Sequence, residues 1–182
     1  MIYKYSELLP NKNFGNDNKI KQAIENRLLF KLECGLYSDK EKVSDLEIIA
    51  KLYEKAVFTS DSAYFYHGLT DNIPKFYYLT TKKRARKIID KRIVQTFGVD
   101  DYFLIGEEFI YYNNIKIRVY DKERMLIELV RNKNKIAYDM YKEIIINYRN
   151  IVNNLNFLKL QKYLEKFNNG SNLLKMIQEE VL

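Results

Sequence analysis

Apolar and polar residues follow one another along this chain in patterns that predict both strands and helices. The clearest pattern begins at Ile115, where Ile115, Ile117 and Val119 alternate with polar side chains as in a half-buried strand. The apolar residues that follow recur at helical spacing, and they are Met125, Leu126, Leu129 and Val130. Asp121 stands between the two patterns, where its carboxylate can accept hydrogen bonds from the free N–H groups of a first helical turn. We therefore expect a strand that leads directly into a helix, at the junction of a sheet with a helical layer.

Weaker patterns on either side of this junction complete the prediction for the larger part of the chain. Short apolar runs predict strands at residues 56–58, 75–80 and 93–98. A hairpin is expected at residues 107–120, because Asn113 and Asn114 can supply the positive φ angles of a two-residue turn. After residue 135 the apolar positions recur at helical spacing to the end of the chain.

The first 43 residues predict a reduced winged-helix-like unit. A short helix at residues 6–9 is followed by a second at residues 18–27, with Asn16 or Asp17 as its N-cap and Leu28 possible on its inner face. A tight hairpin centred on Cys34 and Gly35 would form the wing. Ser44 then opens a capping box of the S-x-x-E type and a further helix. We therefore predict an α+β protein with two domains, residues 1–43 and residues 44–182, the second a mixed sheet with a C-terminal helical layer.

The polar face of the second helix is a candidate for binding DNA. Its side chains are of the types that contact phosphates and base edges in helix-turn-helix proteins. A solvated helix face is the alternative, and residues 1–45 carry only one more basic than acidic residue, 8 against 7. With one lysine of the wing, the candidate residues are Asn18, Lys19, Lys21, Gln22, Asn26, Arg27 and Lys31.

Positive charge is concentrated in one short segment. The chain has a net charge of +7, and residues 72–98 alone carry eight basic residues and one acidic residue. A helix is expected at residues 81–92 with Thr81 as its cap, which would place Lys82, Lys83 and Arg84 in its first turn. A helix N-terminus disfavours cations, so this placement predicts an anion site that serves nucleic-acid phosphate or an acidic protein surface. A solvated charge run is the alternative interpretation, and Arg86 and Lys87 extend the same segment.

The composition of the chain limits the cellular setting and the kinds of partner that we expect for this protein. The longest apolar runs are far shorter than the ~20 residues of a membrane helix, so no membrane partner is expected. The first residues lack the layout of a signal peptide and Cys34 is the only cysteine, which together predict a cytoplasmic protein. His67 is the only histidine, and beside Gly68 it is expected to be a packed or capping residue.

No catalytic signature is found, so we expect neither a catalytic residue, a metal site nor a cofactor. The rival hypothesis is a small metal-dependent nucleic-acid enzyme that uses the carboxylates around the hairpin, and these are Asp100, Asp101, Glu107, Glu108, Asp121, Glu123 and Glu128. Asp121 has a capping role and Glu123 is favoured near a helix N-terminus, which argues against that enzyme.

Three segments resemble the AbiEi-type antitoxins of type IV, abortive-infection toxin–antitoxin systems, and the resemblance extends over essentially the whole chain. In order they are FKLECGLYSD, FTSDSAYFYHGLTD and VYDKERMLIELVRNK. The resemblance implies an antitoxin that counteracts a nucleotidyltransferase-type toxin, directly or indirectly, and that represses its own operon by binding operator DNA through the N-terminal unit. A third hypothesis is a protein-binding scaffold that does not bind DNA.

Overall fold

The computed structural model describes residues 1–11, 13–33, 35–99 and 102–181, which form an α+β protein. Cys34, Asp100 and Asp101, which are named above, lie outside these residues. The described part of the chain separates into two compact units, Met1–Glu54 and Lys55–Leu182. Within it, no helix is both long enough and apolar enough to cross a membrane.

The first unit combines a small antiparallel sheet with three helices. In chain order its elements are β1 (Ile2–Lys4), α1 (Tyr5–Leu8), α2 (Asp17–Glu25), β2 (Phe30–Lys31), β3 (Leu36–Ser38) and α3 (Asp45–Leu52). The sheet order is β1-β3-β2. Two helices followed by a hairpin that pairs back onto the first strand give the winged-helix-like unit that the sequence predicts.

The core of the first unit includes α3, which places the boundary between units after Glu54 rather than after Val43. Ile48 of α3 packs in one apolar cluster with Ile2 of β1 and Leu36 of β3. Lys51 also pairs with Glu7 of α1 at 2.8 Å. The boundary was predicted before Ser44 because a capping box begins there. A capping box marks the start of a helix but carries no information about which core the helix joins.

The second unit contains a mixed sheet and a helical layer. Its elements are β4 (Val57–Phe58), α4 (Ser60–Tyr66), β5 (Tyr77–Lys82), β6 (Ile93–Gly98), β7 (Glu107–Tyr112), β8 (Ile115–Tyr120), α5 (Lys122–Arg131), α6 (Tyr138–Asn150), α7 (Phe157–Leu164) and α8 (Gly170–Glu180). The sheet order is β6-β5-β4-β8-β7, with β5 parallel to β6 and β4 parallel to β8. Helix α5 contacts α7 and α8, so the core lies where the sheet meets the C-terminal helices.

The strand-to-helix junction forms as predicted. Strand β8 ends at Tyr120, and Asp121 caps α5 by accepting a hydrogen bond from the N–H of Arg124 at 2.7 Å. The hairpin of β7 and β8 is also confirmed, with Asn113 and Asn114 at φ angles of 48° and 63°.

The prediction of a helix at residues 81–92 is wrong. Strand β5 continues to Lys82, and residues 83–92 form an irregular connection to β6. Because the two strands are parallel and paired over their whole length, from Tyr77 with Ile93 to Lys82 with Gly98, the connection must return along all of β5. That return is about 17 Å at the rise of a strand. Ten helical residues span only about 15 Å, with nothing left for the turns at either end.

Candidate nucleic-acid interface

Helix α2 buries one side in the first unit and presents the other to solvent. Ile20 and Ala23 pack against Leu8 and Leu29 in an apolar cluster, with Ile24 at its margin. The side chain of Asn16 caps the helix by accepting from the N–H of Lys19 at 2.9 Å. Leu28, which could have joined the inner face, is 66% exposed because the helix ends at Glu25 and the chain turns away.

The residues predicted to contact DNA all lie on the surface of the first unit. Six belong to α2 or the turn after it, one belongs to the hairpin strand β2, and every one is exposed: Asn18, Lys19, Lys21, Gln22, Asn26, Arg27 and Lys31. None of the four cations among them forms an ion pair with another described residue. Their charges are therefore available to an anionic partner.

Several acidic residues elsewhere in the first unit are neutralised within it. Glu7 pairs with Lys51, Glu54 with Lys4 at 3.0 Å, and Asp39 with the N-terminal ammonium group. The carboxylate of Asp17, at the start of α2, accepts a hydrogen bond from the hydroxyl of Tyr5. The unit contains nine basic and nine acidic residues and so has no net charge. On α2 and the turn that follows, Lys19, Lys21 and Arg27 stand against Asp17 and Glu25, which leaves an excess of one positive charge there.

Arg27 occupies an unusual backbone conformation at the end of α2. Its φ is 57°, in the left-handed region that glycine adopts without cost and an arginine does not. The side chain is exposed and makes no ion pair with another described residue. The end of the helix accounts for this conformation, because the N–H of Arg27 donates to the carbonyl of Ile24 at 3.0 Å and the N–H of Leu28 donates to the carbonyl of Ala23 at 2.9 Å, as in a Schellman motif.

In the second unit the structure keeps the basic segment together, although not as a helix. We call residues 82–92 the basic loop. Six of its cations are exposed and form no ion pair with a described residue, and these are the five predicted site residues Lys82, Lys83, Arg84, Arg86 and Lys87 together with Lys91. Because no helix begins here, the predicted combination of cations with free helical N–H groups does not exist. The concentration of positive charge on this segment is nevertheless present in the structure.

Gln95 of β6 fixes the shape of the basic loop. Its side-chain oxygen accepts from the N–H of Ile88 at 2.7 Å, and its amide group donates to the hydroxyl of Thr81 at 2.7 Å and to the carbonyl of Arg86 at 3.1 Å. Near the other end, Arg92 pairs with Asp90 at 2.7 Å. The loop is thus held at several points along its length. No sequence signal points to this brace, because a glutamine on a short strand is ordinary until its neighbours are known.

A cleft opens on the second unit beside the basic loop, and sequence reasoning missed it. We call it the polar cleft. It has a volume of about 680 Å³, and its lining includes Asp61, Thr80, Thr96, Phe97, Arg131 and Lys135. The hydroxyl groups of Thr80 and Thr96 lie 2.8 Å apart across β5 and β6. The lining residues come from distant parts of the chain, so no local spacing could have grouped them.

Asp61 is held at the edge of this cleft by hydroxyl groups. Ser60 donates to its carboxylate at 3.2 Å. Burial, followed by the charge of Asp61 and a hydrogen bond to it, raises the pKa of Tyr78, another residue of the lining. The phenol therefore stays protonated at neutral pH, and the cleft offers both hydrogen-bond donors and a carboxylate acceptor.

Four of the seven acidic residues considered for an enzyme are engaged in the fold. Asp121 and Glu123 both approach Lys159, at 2.9 and 3.6 Å. Glu107 pairs with Arg118, and Glu128 pairs with Arg124 at 3.0 Å. Among the described residues, no group of three or more histidine, cysteine or carboxylate side chains is arranged to hold a metal ion.

His67 is the C-cap residue of α4, followed by Gly68 at a φ of 67°. Its Nε2 lies 2.7 Å from the carbonyl oxygen of Tyr120, which identifies Nε2 as the donor. Burial lowers the pKa of His67, so the ring is neutral at pH 7. In this position the histidine links α4 to the end of β8.

No protein-family model matches this chain, and no curated protein matches it either.

Proposed function

We propose that this protein is an antitoxin of the AbiEi type, which binds operator DNA through α2 and counteracts a nucleotidyltransferase-type toxin. The observation that carries the DNA-binding part is the exposed face of α2, where amide side chains alternate with cations that have no ion-pair partner among the described residues. The antitoxin part rests on the resemblance of the three sequence segments, and on a second unit that presents a braced basic loop.

The candidate residues on α2, on the turn after it and on β2 divide by chemistry into two roles in this proposal. Asn18, Gln22 and Asn26 carry both donors and acceptors, as needed to pair with the edge of a base in the major groove. The cations position the helix by contacting phosphates, which supply most of the affinity but no sequence information, and they are Lys19, Lys21, Arg27 and Lys31.

A mobility-shift titration with the DNA upstream of the gene tests operator binding. Replacing Lys19 and Lys21 with alanine should weaken binding and reduce the salt dependence by about 0.9 for each phosphate that is no longer neutralised, so by about two in log–log slope. The matched control replaces Lys40 and Lys42, two exposed lysines of the same unit, and should bind as the wild type does. Absence of specific binding by the wild type at low salt would leave α2 as a scaffold only.

Toxin neutralisation in cells tests the antitoxin part. Replacing Lys82, Lys83 and Arg84 with glutamate should abolish neutralisation while operator binding persists. The side chains are exposed and the loop has no helix dipole to complement, so stability should change by no more than about 0.5 kcal/mol. Normal neutralisation by this folded variant would show that the basic loop has no antitoxic role.

A further inference from the structure

Strand β6 forms one edge of the five-stranded sheet, and half of its main-chain groups face away from the sheet. The N–H of Tyr77 donates to the carbonyl of Arg92 at 2.8 Å, and this bond fixes the pattern of the parallel ladder. In that pattern every second residue of β6, beginning with Val94, bonds to β5. The N–H and C=O groups of Gln95 and Phe97 therefore point outward, and they form no hydrogen bond with another described residue.

Strand β6 lacks the features that usually keep an edge strand from pairing with another chain. Such strands commonly carry a charged side chain, a proline or a bulge. The six residues Ile93–Gly98 include no charged residue and no proline, and their ladder with β5 is continuous. The edge of β6 is therefore a template to which an extended polypeptide can add a strand.

The basic loop lies over one face of the sheet beside this edge. Side chains alternate along a strand, so those of Gln95 and Phe97 leave β6 on the same face. Gln95 bonds to the loop there, at the N–H of Ile88 and the carbonyl of Arg86. Phe97 is 49% exposed. A strand added to β6 would thus meet both the loop and the Phe97 ring with the side chains of its own corresponding face.

Positive charge borders the same edge. Arg86, whose carbonyl is bonded to Gln95, and Lys87 are both exposed, and neither forms an ion pair with a described residue. The acidic residue of the loop, Asp90, pairs with Arg92 at 2.7 Å. An added strand would therefore find cations that are not neutralised by their own chain, and acidic side chains on that strand would complement them.

We propose that β6 binds an extended acidic segment of a partner protein by β-strand addition. The main chain of a peptide presents both donors and acceptors, which match the outward N–H and C=O groups of Gln95 and Phe97. Nucleic-acid phosphates are acceptors only, so they can meet the cations but leave the two carbonyl groups unmatched. Carboxylates near the loop and an apolar side chain opposite Phe97 complete the recognition.

The brace at Gln95 favours this mode of binding. Because Gln95 already holds the loop at Ile88 and Arg86, little loop entropy remains to be lost when a strand adds beside it. The proposal rests neither on operator binding by α2 nor on toxin neutralisation, since it concerns only the edge of one sheet in the second unit. Its failure would leave both parts of the proposed function untouched.

A second copy of the chain is the alternative occupant of this edge. Strand β7, at the other edge of the sheet, begins with Glu107 and Glu108. Glu107 pairs with Arg118 and Glu108 is half-buried, so this strand offers β6 little free negative charge. Pairing of β6 with β7 of another copy would also join two different edges and would build an open filament. We therefore assign the acidic strand to a different protein.

Fluorescence anisotropy of a labelled nine-residue probe peptide, with the full-length protein, tests the proposal. The probe has a central valine with two glutamates on either side, and these five residues alternate with threonines. Binding should weaken with salt and disappear when the glutamates are replaced with lysines. Replacing Arg86 and Lys87 with alanine should raise Kd about 3- to 10-fold. The charge-matched control replaces Lys142 and Lys162, two exposed lysines of the same unit, and should bind as the wild type does.

Two measurements distinguish strand addition from attraction between charges. N-methylation of alternate amides in the probe removes the donors from one of its two edges, so one methylated probe should lose binding and the other should keep it. In the protein, saturating probe should slow the hydrogen exchange of the Gln95 and Phe97 amides at least ~10-fold. The amides of Lys83 and Arg84, which lie outside β6, should keep their rates.

Substitutions at Phe97 test the hydrogen bonds from the protein side. Proline is tolerated on an edge strand where the N–H faces away from the sheet. Phe97→Pro removes the outward N–H together with the ring, whereas Phe97→Val removes the ring alone. The proline variant should bind the probe at least ~3-fold more weakly than the valine variant. If Phe97→Pro does not fold, the methylated probes test the same hydrogen bonds.

Three results would overturn the proposal. One is the absence of probe binding by the wild type at low salt. Another is equal binding of the two methylated probes with unchanged exchange at Gln95 and Phe97, which would indicate attraction between charges alone. The last is assembly of the wild type into filaments that Phe97→Pro abolishes, measured by sedimentation, which would assign the edge to a second copy. If the probe does not bind while the Arg86 and Lys87 variant loses affinity for DNA, the loop contacts phosphates instead.

Discussion

At the scale of single residues, Asp121 connects more of the second unit than its capping role requires. It is only 2% exposed. Besides accepting from Arg124, its carboxylate accepts from the hydroxyl of Tyr163 at 2.9 Å and pairs with Lys159 at 2.9 Å. Burial and this hydrogen bond raise the pKa of Tyr163 to about 12. Burial alone would lower the pKa of Lys159, but the bond to Asp121 raises it. One carboxylate thus caps α5 and holds α7 against it.

The backbone around Asp121 leaves no space for a larger neighbour at Gly106. Gly106 has a φ of 78°, and its carbonyl accepts from the N–H of Asp121. A Cβ there would lie 2.5 Å from the Cβ of Arg124 and 3.0 Å from Oδ1 of Asp121. Glycine is required at this position by both its conformation and its surroundings.

Asp121→Asn should therefore destabilise the protein by about 1–3 kcal/mol, more than loss of an N-cap preference alone would suggest. Asparagine can still cap α5 through its oxygen, but its NH₂ group would face the donors of Tyr163 and Lys159. Urea denaturation measures the change. The control is Asn16→Asp at the exposed cap of α2, where both residues cap well and stability should hold. If Asp121→Asn is as stable as the wild type, Asp121 contributes to stability only as the N-cap of α5.

At the scale of elements, the connection between β5 and β6 carries the functional charge without regular structure. Parallel strands are usually joined by a helix. Here the short connection excludes one, and side-chain hydrogen bonds from Gln95 replace the backbone bonds that a helix would have supplied. The cations can then project from an extended path along the surface instead of around a helix.

Gln95→Ala should loosen the basic loop without unfolding the unit. The amide of Ile88 would lose its acceptor, so its hydrogen exchange should accelerate, and the core amides of β8 should keep their wild-type rates. Lost hydrogen bonds at this half-buried site should cost about 1–3 kcal/mol. Gln178→Ala, at an exposed position of α8, is the control and should change neither measurement. Unchanged exchange at Ile88 would show that the loop keeps its shape without the brace.

At the scale of the whole molecule, charge is divided unequally between the two units. The first has no net charge, and the second holds the entire excess of +7, because residues 72–98 lie within it. Two kinds of anionic partner are consistent with this division. One kind would bind to a few cations and amide side chains on α2. The other would be attracted by the dense cluster of positive charge on the basic loop.

The two activities should therefore separate by mutation. Alanines at Lys19 and Lys21 should reduce operator binding and leave neutralisation intact, and glutamates at Lys82, Lys83 and Arg84 should do the reverse. A protein with both sets of changes should lose both activities, each to the extent seen in the variant that carries one set alone. Mobility shifts and cell growth measure the two activities in the same set of variants. Loss of operator binding in the glutamate variant would instead make the basic loop a second contact for the operator.

Features that depend on near neighbours along the chain could be predicted from the amino-acid sequence. Asp121 before an apolar helical pattern specified the junction of β8 with α5, and Asn113-Asn114 specified the hairpin turn, because capping and positive φ are local properties. The exposure of the polar face of α2 followed in the same way from helical periodicity.

Features that depend on distant partners emerged only when the chain was folded. Residues 81–92 have helical composition, yet pairing of β5 with β6 extends the strand to Lys82 and leaves a gap too long for a helix to cross. Helix α3 joins the first unit because Ile48 finds Ile2 and Leu36, which no pattern around Ser44 encodes. The polar cleft brings Asp61, Thr80 and Lys135 together. Their proximity is set by strand order and helix packing, and these are chosen by burial of the whole core rather than by any short stretch of sequence.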